Sequence, residues 1–195
     1  MANSLRLILI KVISLACLII LGPWHADASR RQPIGGQART LQAVRTHTPP
    51  RIDGKPDEPQ WQKAHIAEGF LQYEPHNDRE AGFDTRVKLL YDDEAIYIAA
   101  ILYDTAPDSI LRELGLRDSG DQLNADRFWV DINPFNDGVN GFRFQVSASG
   151  VQTDINMSGA GTGRGDRNWD AVWTSAVGIH QQGWTVEMRI PYSAL

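Results

Sequence analysis

Cysteine is almost missing from this 195-residue chain: Cys17 stands alone, so no internal disulfide framework is available. The five histidines are scattered, without the close spacing that zinc ligands need. No Gly-x-Ser-x-Gly elbow, His-Glu-x-x-His helix or phosphate loop occurs, so the strong catalytic signatures are absent. Positive charge is also in short supply. Nineteen Lys and Arg stand against 24 Asp and Glu, a net charge of -5, which lacks the basic footprint of a nucleic-acid binder and excludes that class of partner. What is present is ordinary globular composition, 42% hydrophobic and 22% charged, enough for one domain with a core.

The N-terminus reads as an address. Arg6 and Lys11 precede an apolar run over residues 12–21, and Ala26-Asp27-Ala28 supplies the small, spaced residues that a signal peptidase accepts. The run falls short of the ~20 residues needed to cross a bilayer. A cleaved signal over residues 1–28 is therefore expected, with the mature chain starting at Ser29 and exported to the periplasm, the outer membrane or the medium. Ser14 stands where a lipidation signal would need a large apolar residue, and cleavage would remove Cys17, the only thiol. Residues 29–48 carry Arg30, Arg31, Gly35 and Gly36 and no sustained hydrophobic period, the composition of a flexible leader. The folded domain is expected over residues 49–195.

From Pro49 onward the apolar residues recur mostly at period two, punctuated by turn residues every ten or so positions, and no long helical stripe competes. That pattern predicts an all-β, antiparallel β-sandwich. Val87, Leu89 and Tyr91 alternate with Arg86, Lys88 and Leu90; Asp92-Asp93-Glu94 then turns the chain into residues 95–103, apolar on both faces and so expected as a central strand. Over residues 126–132, Phe128, Val130 and Ile132 point one way, and Arg127, Trp129 and Asp131 the other. Residues 141–147 repeat the arrangement, setting Phe142, Phe144 and Val146 opposite Arg143, Gln145 and Ser147, and the two strands are expected to pair. A last hairpin turning at Gln181-Gln182-Gly183 places Trp184, Val186, Met188 and Ile190 on one face.

The run Pro50-Arg51-Ile52-Asp53-Gly54-Lys55-Pro56-Asp57-Glu58-Pro59-Gln60-Trp61 resembles the opening of the family 9 carbohydrate-binding modules. The likeness continues through residues 87–98, 126–132 and 183–191, four blocks in order. It is nearest to a subgroup of exported bacterial proteins with a C-terminal outer-membrane barrel. The resemblance implies a jelly-roll-like sandwich that binds polysaccharide or oligosaccharide without cutting it, in the service of polysaccharide breakdown by glycosyl-bond hydrolases. It also implies truncation at the last strands. The family clamps a terminal sugar between two tryptophans; the residue nearest one of those positions is Leu123, and the other position lies beyond Leu195. Trp61 is expected to plug one end of the sandwich.

Candidate sugar contacts follow from aromatic planes beside hydrogen-bonding side chains. Trp129 shares its face with Arg127 and Asp131, beside a strand that presents Arg143 and Gln145. Trp169 and Trp173 follow a glycine-rich loop and offer a replacement platform or a hydrophobic cap. No cofactor is expected; a calcium alternative would use Asp131, Asn133, Asn136 and Asp137, although a plain turn explains the same residues. Two other functions compete: an envelope interaction domain, and a glycoside hydrolase built on carboxylates among Asp126, Asp131, Asp154 and Glu187. Acids in such numbers are expected to lie on solvated faces.

Overall fold

The computed structural model describes residues 39–157 and 165–195. The expected signal segment, the first half of the leader and most of the glycine-rich loop lie outside the described residues. Two sheets form the sandwich. The larger holds β1 (Val44–Arg45), β3 (Thr85–Tyr91), β4 (Ala95–Tyr103), β9 (Gly183–Pro191) and β8 (Thr174–His180) in that order, with β2 (Ile66–Ala67) also on β3. The smaller sheet runs β5 (Arg127–Ile132), β6 (Phe142–Ser147), β7 (Gln152–Asn156). All pairs are antiparallel except β1 with β3. The sheet thus begins earlier than expected: Val44 pairs with Leu90, inside the segment read as leader.

Alternation explains which faces meet. Val87 and Leu89 of β3, Ile98, Ala100 and Leu102 of β4, and Trp184, Val186, Met188 and Ile190 of β9 face Phe128, Val130 and Ile132 of β5 and Phe144 and Val146 of β6. Burial of each large side chain in this layer contributes about 1.5–3 kcal/mol. The opposite face of β4 is apolar too, as expected of a central strand: Ala95, Tyr97 and Ala99 pack with Leu90 beneath Trp61. Trp61, carried on a single helical turn α1 (Pro59–Gln62), is 1% exposed. It does not plug an end of the sandwich; it covers the outer face of the larger sheet.

A buried acid explains that placement. Glu187 alternates to the outer face of β9, where its register partners are Ala99 and Ala176, two small residues that leave room for a carboxylate. Its Oε2 accepts the backbone N–H groups of Asp53, Gly54 and Lys55 at 2.9–3.1 Å, and Oε1 accepts the Trp61 indole N–H at 2.9 Å. Burial pushes the carboxyl above its ordinary value, against the pull of these donors. Gly54 has φ +84, and a Cβ there would fall 2.7 Å from the Val177 carbonyl, so the turn that aims the three N–H groups tolerates no side chain. The first and last blocks of the family-like motif are therefore one structural unit.

A second clasp closes the β7–β8 side. Asp154, fully buried, accepts the Ala171 N–H at 2.7 Å and the Trp173 indole N–H at 3.1 Å, and is ion-paired with Arg117. The opposite side stays open. An apolar cavity of about 520 Å³ lies between β5 and the larger sheet, lined by Leu89, Ile96, Ile98, Val130, Ile132 and Leu195 among others.

Candidate functional site

The outward face of the smaller sheet gathers Arg127, Trp129 and Asp131 from β5, Arg143, Gln145 and Ser147 from β6, and Thr153 from β7. Register sets Trp129 opposite Gln145, Gln145 opposite Thr153, and Asp131 opposite Arg143. Arg143 donates two hydrogen bonds to Asp131, at 2.7 and 2.9 Å. That bidentate pairing raises the guanidinium pKa further, with burial opposing it. The same guanidinium lies 5.1 Å from the Trp129 ring centroid, a cation–π contact that occupies the plane on which a sugar would stack.

Over this face runs a 3-10 turn, Gly120–Gln122. A Cβ on Gly120 would fall 2.6 Å from Thr153 Oγ1 and 2.7 Å from Gln145 Nε2, so glycine is what allows the backbone to approach so closely. Beneath the turn, Gln145 is 3% and Thr153 1% exposed, and Trp129, the register partner of Gln145, is 4% exposed. Trp129 Nε1, Gln145 Nε2 and Thr153 Oγ1 have no hydrogen-bond partner. Each such atom costs about 1–3 kcal/mol, and the three form one row across three strands. Asp121, next in the turn, accepts from Arg127 Nη1 at 3.3 Å and is ion-paired with Arg167. Burial alone would raise the Asp121 carboxyl, but Arg167 and then Arg127 outweigh it and hold the group below its ordinary value. The Gln145 amide lies beside this carboxylate without closing a hydrogen bond of good geometry.

The structure thus brings together four of the six residues singled out in the sequence, Arg127, Trp129, Asp131 and Arg143. Trp169 and Trp173 are elsewhere. Trp169, half-buried, packs 4.8 Å from Phe142, and Trp173 meets Phe144 edge-on at 5.4 Å. Both cap the inter-sheet core near the Asp154 clasp. Gln145, Thr153, Gly120 and Asp121 complete the site. Strand alternation exposes the first two to a sequence reading, whereas Gly120 and Asp121 arrive from a loop whose path no periodicity encodes.

The other chemistry weighed in the sequence resolves differently. Asp137 accepts N–H groups from Val139, Asn140 and the Asn133 side chain, so the turn after β5 satisfies itself. Among the described residues no group of three or more His, Cys, Asp or Glu comes together to hold a metal ion. The expectation that these acids lie on solvated faces fails for Asp154 and Glu187. Each is fully buried and holds a separate clasp on a different sheet, so they share no cleft of the kind glycoside hydrolysis needs.

Residues 52–195 match the family described as "Carbohydrate family 9 binding domain-like". Among solved structures, the fold is similar to a family 9 carbohydrate-binding module from Caldicellulosiruptor kristjanssonii in complex with cellotriose. The TM-score is 0.53 at 17% identity, covering 78% of this chain and 68% of that one. The complex with glucose from the same organism aligns with a TM-score of 0.51 at 17% identity, covering 78% and 70%. A candidate carbohydrate-binding protein from Bacteroides uniformis aligns with a TM-score of 0.59 at 10% identity, covering 78% and 72%. At these identities the likeness is one of fold. No curated protein sequence matches the chain.

Proposed function

Since this chain belongs to the carbohydrate family 9 binding domain-like family, we propose that it is a non-catalytic glycan-binding domain whose site is the outward face of the smaller sheet. The observation that carries the reading is the row of three unsatisfied polar atoms, Trp129 Nε1, Gln145 Nε2 and Thr153 Oγ1, flanked by Arg127 and the Arg143–Asp131 pair. Sugar hydroxyls and ring oxygens are the acceptors such a row lacks. Binding here proceeds through hydrogen bonds rather than stacking, because Arg143 already covers the Trp129 ring. Support for the sugar class also comes from the similar modules bound to cellotriose and glucose.

Titration of the chain with neutral and acidic mono- and oligosaccharides, read by heat and by tryptophan fluorescence, tests the proposal. A saturable signal with at least one of them is expected. Silence across the whole panel overturns the reading. The proposal extends to export and to a role in polysaccharide breakdown beside hydrolases, supported by the N-terminal address and the sequence resemblance. Mass spectrometry of the exported protein should find Ser29 at its N-terminus.

A further inference from the structure

The site described above has a donor surplus. Trp129 offers an indole N–H and Gln145 an amide N–H, both unsatisfied, and Arg127 and Arg167 present guanidinium groups at their edge. The carboxylate that β5 contributes to the face, Asp131, is already taken by Arg143, which donates two hydrogen bonds to it. One carboxylate meets the two remaining arginines, and it belongs to the protein: Asp121, held between Arg127 and Arg167 at the point where the Gly120–Gln122 turn touches the row.

We propose that the ligand of this face is a carboxylated sugar, a hexuronate within an oligosaccharide, and that Asp121 occupies the place of its carboxylate until the ligand displaces it. The inference rests on the glycan-binding reading and deepens it. Arginine donors match a planar carboxylate in a way they do not match a single hydroxyl. The fit of Asp121 between Arg127 and Arg167 shows that the face accepts that group. Three further features suit exchange. The turn is only three residues long, Asp121 is part-exposed with its side chain at 38%, and the turn offers no large apolar anchor. On displacement, the ligand's hydroxyl and ring oxygens come within reach of Gln145 Nε2 and Thr153 Oγ1, which Gly120 covers in the closed arrangement, and of Trp129 Nε1 beside them. A ligand that must open the turn binds more weakly by the fraction of time the turn is open.

The experiment titrates the full chain and its variants with digalacturonate and glucuronate, and in parallel with cellotriose and glucose. Wild type should bind the acidic sugars about tenfold more tightly than the neutral ones, with an affinity that falls as salt rises. Asp121→Asn removes the internal competitor and should tighten the acidic sugars by about tenfold, corresponding to a turn open roughly one-tenth of the time. Arg127→Gln and Arg167→Gln should each weaken them by about tenfold or more. Should Arg127→Gln fail to fold, the exposed Arg167→Gln carries that arm alone. Equal or tighter binding of the neutral sugars, unmoved by Asp121→Asn, overturns the acidic ligand and leaves the glycan reading standing. No binding of any sugar to wild type or to Asp121→Asn overturns both.

Discussion

Glu187 illustrates how much one side chain can organise. Its carboxylate receives four N–H donors from a segment more than 120 residues away in sequence, and truncation would leave all four facing an apolar surface. Glu187→Ala should therefore lower unfolding free energy by about 3 kcal/mol or more, at roughly 1–3 kcal/mol for each buried donor left without an acceptor. Urea denaturation measures it; a loss below about 1 kcal/mol would contradict the assignment. Tyr97 makes a second prediction at this scale. Its side chain is fully buried and its hydroxyl donates to Asp92 Oδ2 at 2.7 Å. Burial first, and then the Asp92 carboxylate, raises the phenol from 10.0 to about 12. A folded-state value above the unfolded one stabilises the protein fully below the unfolded value, and that contribution is lost as pH rises through the folded value. Stability should thus fall between pH 10 and about 12. Tyr97→Phe should lack that step in a series of denaturant melts across the alkaline range.

At the scale of elements, the Gly120–Gln122 turn and the small sheet beneath it stand or fall together. Gly120→Ala forces a methyl group against Thr153 Oγ1 and Gln145 Nε2, so it should cost about 1–3 kcal/mol and lift the turn. Faster hydrogen exchange at Gly120–Gln122, with the β5–β6 amides unchanged, is the expected signature. Much of this layer was legible in the sequence. The alternation of residues 126–132 and 141–147 assigned Arg127, Trp129, Asp131 and Arg143 to one face, and the register bears that out. The two-sided apolarity of residues 95–103 likewise marked β4 as central. Period-two reading fails where side chains are placed by long-range hydrogen bonds. Trp61 went to the outer face of a sheet because Glu187 holds its indole. Trp169 and Trp173 became caps because Phe142, Phe144 and Asp154 receive them. A loop such as residues 114–124 has no period at all, so nothing local announces that Asp121 lands between two arginines.

For the whole molecule, the two sheets share one core in which β9 contributes Trp184, Val186, Met188 and Ile190, against β5 and β6. Neither sheet has a separate apolar filling on its facing side, so the pair should unfold in one step. Tryptophan emission and far-ultraviolet dichroism should trace the same denaturant midpoint; separated midpoints would mean that the sheets are independent. The position of β9 also bears on how the chain comes into being. Although it follows β1 to β8 in sequence, it sits between β4 and β8 and carries the acid that anchors Asp53 to Trp61. A nascent polypeptide that has emerged only to residue 182 therefore has a partnerless β8, an unanchored amino-terminal block and a core without Trp184, Val186, Met188 and Ile190. Closure of both sheets and of the amino-terminal block therefore waits on residues 183–191, so the domain folds as a unit rather than strand by strand in the order of synthesis.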